Sequence, residues 1–188
     1  ADESAIEFID GKFRVEASGQ ETDILAVASA YAEFHGSSDQ LTSEYFQEGR
    51  IKTYPYGASA AEVEIDPDTG EMKICKYAIV DDCGQAVNPM IVHGQTHGGI
   101  AMGAGQAMGE CAFFDLNSGQ LLTGSFMDYM MPRADQFPMF DIGTMEVPSD
   151  TNPLRIKAGG EAGTVPALAV IGNAVMDALS PYGIEHFD

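Results

Sequence analysis

Residues 88–110 impose the strongest constraint on what this chain can fold into. Asn88-Pro89 is a helix start, with asparagine as the N-cap and proline in the first turn, and the segment running to Glu110 holds no further breaker except glycine. That exception is large, because Gly94, Gly98, Gly99, Gly103, Gly105 and Gly109 all fall inside it. Each glycine in a helix interior costs up to about 1 kcal/mol relative to alanine. Such a helix is worth forming only if something must come close to its backbone, and another helix and a bulky ligand are the two candidates. Gln95 is the polar side chain best placed to project from this small-residue surface and donate a hydrogen bond. The stretch from Gly103 to Met108 lacks the final glycine of G-x-G-x-x-G and does not directly follow a strand, so a dinucleotide-binding reading is weak.

The segments around this helix mix strand and helix patterns without a regular alternation. Two short alternating stretches flank Gly11 between Ile6 and Glu16 and predict a hairpin or two edge strands. Residues 22 to 34 place Ile24, Leu25, Val27, Ala28, Tyr31 and Ala32 on one helical face, and residues 36 to 57 read as a long irregular connection. Ala61, Val63 and Ile65 alternate with acidic residues, Pro67-Asp68-Thr69-Gly70 supplies a turn, and Met72, Ile74, Tyr77 and Ile79 complete an antiparallel hairpin. A second hairpin is predicted around Asn117-Ser118-Gly119, followed by a loop at residues 131–138. Thr164 is placed to cap a last helix carrying Ala167, Val170, Ile171, Ala174, Val175 and Ala178 at helical spacing. The fold class is therefore α+β, with mixed or antiparallel sheets and packed helices.

Charge and cysteine usage narrow the function classes. Twenty-nine acidic residues against nine basic ones give a formal charge of −20, a surface that repels phosphate backbones and anionic lipid, so neither nucleic acid nor membrane is expected as a partner. No apolar run is expected to reach the ~18 residues that span a bilayer. Cys75, Cys83 and Cys111 are odd in number and form no CxxC pair, which suits a reducing, cytoplasmic compartment. His93 and His97 stand at i, i+4 spacing, but zinc needs more ligands than this pair and no HExxH pattern is present. No metal-ligating residue is assigned.

The segment Lys157-Ala158-Gly159-Gly160-Glu161-Ala162-Gly163-Thr164 carries the clearest chemical signal. One carboxylate sits among residues with almost no side chain, which leaves space above it for something large. The positive end of the following helix favours a charged carboxylate, whereas a dry pocket disfavours it, and a general base needs a balance of the two. On composition alone, a glycine-rich turn whose glutamate merely caps backbone amides explains the segment equally well.

Taken in order, these segments resemble a known family. Asp82-Cys83-Gly84 with Asn88-Pro89, Gly94-Gln95 with Gly98-Gly99, and Gly103-x-Gly105 through Glu110 are similar to the DCGR-x-x-NP, GQ-x-x-GG and G-x-G signatures of the molybdenum hydroxylase large subunits, the family of xanthine dehydrogenase, aldehyde oxidase and carbon monoxide dehydrogenase. Leu122 through Tyr129, Pro132-Arg133, Asn152-Pro153, Lys157 and Gly160-Glu161-Ala162-Gly163 continue the series. It spans residues 56–179, about two-thirds of the chain.

The resemblance implies the C-terminal part of a molybdopterin-binding domain over residues 1–188, with residues 1–55 less firmly assigned, as a fragment or as one piece of a split subunit. It implies a molybdenum ion on molybdopterin, often in the cytosine dinucleotide form in bacteria, with [2Fe-2S] clusters and FAD carried only by other domains or subunits. Glu161 would be the base that takes a proton from the metal-bound oxygen as that oxygen attacks the carbon of an aldehyde, N-heterocycle or similar small substrate, with water as the oxygen source. Gln95 would lie beside the cofactor, and Gly94, Gly98, Gly99 and Gly160 would let it approach. The implied partners are the first half of the molybdopterin-binding domain, an iron–sulfur subunit and a flavin subunit. A scaffold module that retains the fold without the metal cofactor is the alternative from another functional class. Three positions depart from the family pattern. Gln85 replaces the arginine after DCG, Arg155 occupies a position commonly glycine, and Ala158-Gly159 stands where Gly-Val is common.

Overall fold

Alternation in β4 (Tyr56–Ile65) and β5 (Met72–Asp82) builds the long antiparallel hairpin on which the larger part of the chain is organised. The computed structural model describes residues 2–37, 41–46 and 52–186, and the chain divides into two units, residues 1–49 and 50–188. The turn between β4 and β5 is held by Asp66, whose Oδ1 accepts from the amides of Asp68 and Thr69 at 2.8 and 3.1 Å. Pairing shifts by one residue between Glu62 and Val63, so Cys75 bulges out of β5. The bulge moves the buried set from the parity of Ile74 to that of Tyr77, Ile79 and Asp81. A short strand that the sequence pattern did not predict, β6 (Asp141–Thr144), pairs in parallel with β5 on its other edge, giving the sheet order β4-β5-β6.

Two helices cover this sheet. The expected glycine-rich helix is α2 (Pro89–Met108), and Asn88 caps it by accepting from the Ile91 amide at 3.2 Å. The last helix, α3 (Thr164–Leu179), also forms, but Thr164 does not cap it. The residue at the cap position is Gly163, with helical dihedrals and no side-chain bond, and the Thr164 amide donates to the Glu161 carbonyl at 3.0 Å. The core comprises Ile74, Tyr77 and Ile79 of β5, Ile100 and Ala104 of α2, and Ala167 and Ile171 of α3. Together with the turn that follows, α3 forms a 19-residue apolar stretch, Thr164–Tyr182. This corrects the expectation that no apolar run would be long enough to cross a membrane, by length and composition only. Ala167 and Ile171 of this stretch are wholly buried in the protein core.

The glycines of α2 divide into two sets. A Cβ on Gly99 would lie 3.0 Å from the Thr164 nitrogen, and one on Gly103 would lie 2.7 Å from the Ala167 Cβ. Gly163 is the reciprocal position, where a Cβ would run into the Thr96 carbonyl. These residues let α2 and the start of α3 cross almost backbone to backbone. Gly94 and Gly98, by contrast, have nothing within 4 Å of an added Cβ.

Residues 1–49 form a smaller unit. β1 (Ile6–Ile9) and β2 (Lys12–Val15) make the expected hairpin, closed by Asp10-Gly11 with φ of 51° and 77°, the two positive values of a type I′ turn. A third strand, β3 (Gln20–Asp23), carries no hydrophobic signal and was not expected. It shortens the predicted helix to α1 (Ile24–His35), which Asp23 caps through a 2.7 Å bond to the Ala26 amide. The predicted irregular connection at residues 36–57 falls partly outside the described residues, and its last two residues, Tyr56 and Gly57, belong to β4. The predicted hairpin around Asn117-Ser118-Gly119 is reduced to an Asp115-held turn with a single bridge between Phe114 and Leu121. The predicted loop at residues 131–138 contains one short 3-10 turn, Ala134–Gln136.

Opposite effects are expected from two alanine substitutions in one helix. Gly103→Ala should lower stability by roughly 1–3 kcal/mol through overpacking against Ala167 and Thr164, while Gly94→Ala should raise it by up to about 1 kcal/mol. Denaturant midpoints of the two variants against the parent check this.

Candidate active site

The loop between β5 and α2 and the loop that precedes α3 meet edge to edge. Gly84 pairs with Ile156 as an antiparallel bridge, the Lys157 amide donates to the Cys83 carbonyl at 2.8 Å, and the Gln85 amide donates to the Arg155 carbonyl at 3.1 Å. Gly84 is required here twice over. Its φ is +70°, and a Cβ would lie 2.6 Å from the Arg155 carbonyl oxygen.

Below this seam lies a buried ion pair. Lys157 Nζ donates to Asp82 Oδ2 at 2.5 Å, with both side chains almost fully buried. Asp82 Oδ1 accepts from the Gly84 and Val147 amides at 2.9 and 3.0 Å, and the ammonium sits 5.3 Å from the centroid of the Tyr56 ring. Burial is the largest influence on this carboxyl and opposes its charge, but the hydrogen bonds from Lys157, Val147 and Gly84 together outweigh it and hold Asp82 below the ordinary carboxylate range. Both residues stand in the sequence motifs, yet motif reading alone did not reveal that they touch.

The pair and the seam position the loop that carries Glu161. Gln95, on α2, donates from Nε2 to the Gly160 carbonyl at 3.0 Å and so ties the loop to the helix. Glu161 uses its main-chain carbonyl, rather than its carboxylate, to receive the Thr164 and Val165 amides. The side chain is exposed at the rim of an open hollow of about 460 Å³ that is lined also by Tyr56, Gly57, Asp81, Gly160 and Val165. An adjacent hollow of about 420 Å³ is lined by Cys83, Gln85, Val87, Ile91 and Gln95. Both hollows include Gly159 and Gly160, so Gln95 and Glu161 face neighbouring spaces on either side of that small backbone.

Five of the six expected site residues therefore surround open space. Gly94, Gly98 and Gly160 have nothing within 4 Å of an added Cβ, Gln95 anchors the loop, and Glu161 reaches the hollow. Gly99 is placed differently, since its bare face is filled by the start of α3. One residue in the Glu161 hollow was missed altogether. Asp81 is 4% exposed, and its Oδ2 has no hydrogen-bond partner among the described residues. The signal for it was present in β5, where an acidic residue continues the core parity of Tyr77 and Ile79. The His97 ring of α2 is engaged, for its Nδ1 lies 2.9 Å from the His93 main-chain carbonyl and the ring packs near Phe140.

Of the glycines with open space beside them, Gly160 lines both hollows, which leaves the backbone between them open to the approach of a bulky group. A small backbone between two hollows, a tethering glutamine and one carboxylate at the rim are consistent with a cofactor-binding domain. A family model described as the molybdopterin cofactor-binding domain matches residues 1–138, and the chain belongs to this family. It is 45% identical over 127 residues to the nicotine 6-hydroxylase large subunit of Paenarthrobacter nicotinovorans, covering 68% of this chain and 15% of that one. To the 6-hydroxypseudooxynicotine dehydrogenase complex subunit gamma of the same organism it is 32% identical over 185 residues, 96% of this chain and 23% of the relative. Among solved structures, quinoline 2-oxidoreductase from Pseudomonas putida 86 superposes with a TM-score of 0.79 at 32% identity, over 97% of this chain and 24% of its own. The chain thus spans less than a quarter of the length of these relatives.

Arg155 has φ of +56°, a left-handed conformation that glycine adopts without strain. Replacing it, as Arg155→Gly, should raise the melting temperature by relieving left-handed strain worth about 1 kcal/mol. For the ion pair, Lys157→Met should cost about 3 kcal/mol, since it leaves the buried Asp82 charge without its counter-ion. Because Asp82 is depressed in the fold, its contribution is fully present above the unfolded value of about 4 and is lost as pH falls below it. The stability gap between parent and Lys157→Met should accordingly narrow in acid denaturation series below about pH 4.

Proposed function

We propose that this chain is the C-terminal part of the molybdopterin-binding domain of a hydroxylase, in which Glu161 is the general base for oxidation of an aldehyde, N-heterocycle or similar small substrate with water as the oxygen source. The observation that carries this reading is the placement of Glu161 at the rim of a hollow of small-molecule size, next to a glycine that leaves the approach open. The cofactor, when bound, supplies the two-electron oxidation and the activated oxygen. The chain's own residues do the rest. Gln95 and the Asp82–Lys157 pair hold the Gly159–Gly160 backbone in place, the bare faces of Gly94 and Gly98 admit the cofactor, and the Glu161 carboxylate accepts the proton that must leave as oxygen is transferred.

Several large apolar side chains stand exposed in this chain, among them Leu116 at 99% and Met127 at 92%. This supports a body of the subunit that covers them, and with it the proposal that the first half of the molybdopterin-binding domain, an iron–sulfur subunit and a flavin subunit are partners. Cys75, Cys83 and Cys111 are all free thiols, which supports a cytoplasmic setting. The cofactor is proposed to be molybdenum on molybdopterin, either as molybdopterin itself or extended to the cytosine dinucleotide.

Replacing the base as Glu161→Gln in the assembled enzyme should lower kcat by at least about 100-fold while leaving molybdenum content unchanged. Steady-state turnover and elemental analysis are measured on the same preparation. Near-normal turnover removes the base assignment, and an absence of molybdenum from the parent assembly under loading conditions points instead to a scaffold that kept only the fold.

A further inference from the structure

Asp81 occupies a position that packing alone does not justify. It follows Tyr77 and Ile79 on the buried face of β5, where an apolar side chain would satisfy every local requirement. Its Oδ2 is sealed from solvent without a hydrogen-bond partner among the described residues, and an unsatisfied buried acceptor costs about 1–3 kcal/mol. The neighbouring ion pair does not relieve it, because Lys157 is taken by Asp82. Room for the carboxyl is made on purpose across the strand pair. Gly57 is the register partner of Asp81, and a Cβ there would collide with Asp81 Oδ1. Asp81 lines the same hollow as Glu161, together with residues from the start of β4 and the first turn of α3. Burial pushes Asp81 up from the ordinary carboxylate range, because the lost hydration is not offset.

We infer that Asp81 is a substrate-recognition residue that takes an N–H group, either a cationic nitrogen or a ring N–H, of the molecule bound in the Glu161 hollow. A nitrogen donor supplies the partner that the fold withholds, and a cationic one also compensates the buried charge, so the gain on binding is concentrated in one contact. Glu161 and Asp81, which both line the hollow, divide the labour: one accepts a proton, the other selects and orients. This inference rests on reading that hollow as the place where substrate is held.

Benzamidine and acetophenone serve as probes, since they share a shape but only the first is a cationic N–H donor. Calorimetric titration of the assembled enzyme should show benzamidine binding at least about tenfold more tightly than acetophenone. In Asp81→Asn that preference should fall about tenfold, with acetophenone unchanged within about twofold. Thermal stability separates recognition from a structural role. Asp81→Leu should keep or raise the melting temperature, because it removes an unsatisfied acceptor, whereas a structural carboxyl would leave the variant less stable. Equal binding of the two probes by the parent, an unchanged preference in Asp81→Asn, or destabilisation in Asp81→Leu would each overturn the inference. The titrations need no turnover, so normal turnover in Glu161→Gln with intact probe discrimination removes only the base assignment. A dead Glu161→Gln with indifferent Asp81 variants removes only this inference.

Discussion

Everything at the site depends on how closely α2 and the first turn of α3 approach. With Gly99 and Gly103 on one side and Gly163 and Ala167 on the other, the two backbones meet with no side chain between them. This contact sets the height of the loop that carries Glu161. Any larger residue at the crossing would lift that loop away from α2 and break the Gln95 bond to Gly160. The helix gives up intrinsic stability at each glycine and recovers it through burial of Ile100, Ala104, Ala167 and Ile171.

A second constraint acts from below. The Asp82–Lys157 pair joins the end of β5 to the loop preceding α3 across 75 positions of sequence, and the Gly84–Ile156 bridge repeats that connection through the backbone. A buried pair of this kind contributes little to net stability compared with apolar packing, but it strongly disfavours alternative placements of the loop, in which one charge would be left unpaired. Among the described residues, the Glu161 carboxylate makes no such tie. The backbone around it is tied by these contacts and the carboxylate is left exposed, the arrangement expected of a group that must meet a ligand.

Much of the fold was legible in the residues. The hairpin of β4 and β5, the Asn88 cap and the extent of α2 followed from alternation, turn chemistry and capping. The misses have physical causes. β3 is the polar run QETD and pairs only through its backbone; β6 is four residues long and is recruited by the edge of β5; Thr164 looked like a cap because the turn before it is built by the Glu161 carbonyl instead of a side chain. The bulge at Cys75 was visible as a change of parity between Ile74 and Tyr77, and the same parity marks Asp81.

By itself the sequence determined the family, the position of the single carboxylate among small neighbours, and the fact that something must approach α2. These are matters of local composition and order, and short-range sterics suffice to read them. Only the tertiary structure decided which glycines serve the helix crossing and which stay bare, that Gln95 and Glu161 face adjacent hollows, and that Asp81 is buried beside one of them without a partner. Those facts depend on residues far apart in the chain being brought to one place, and no local pattern encodes which neighbour will fill a given space.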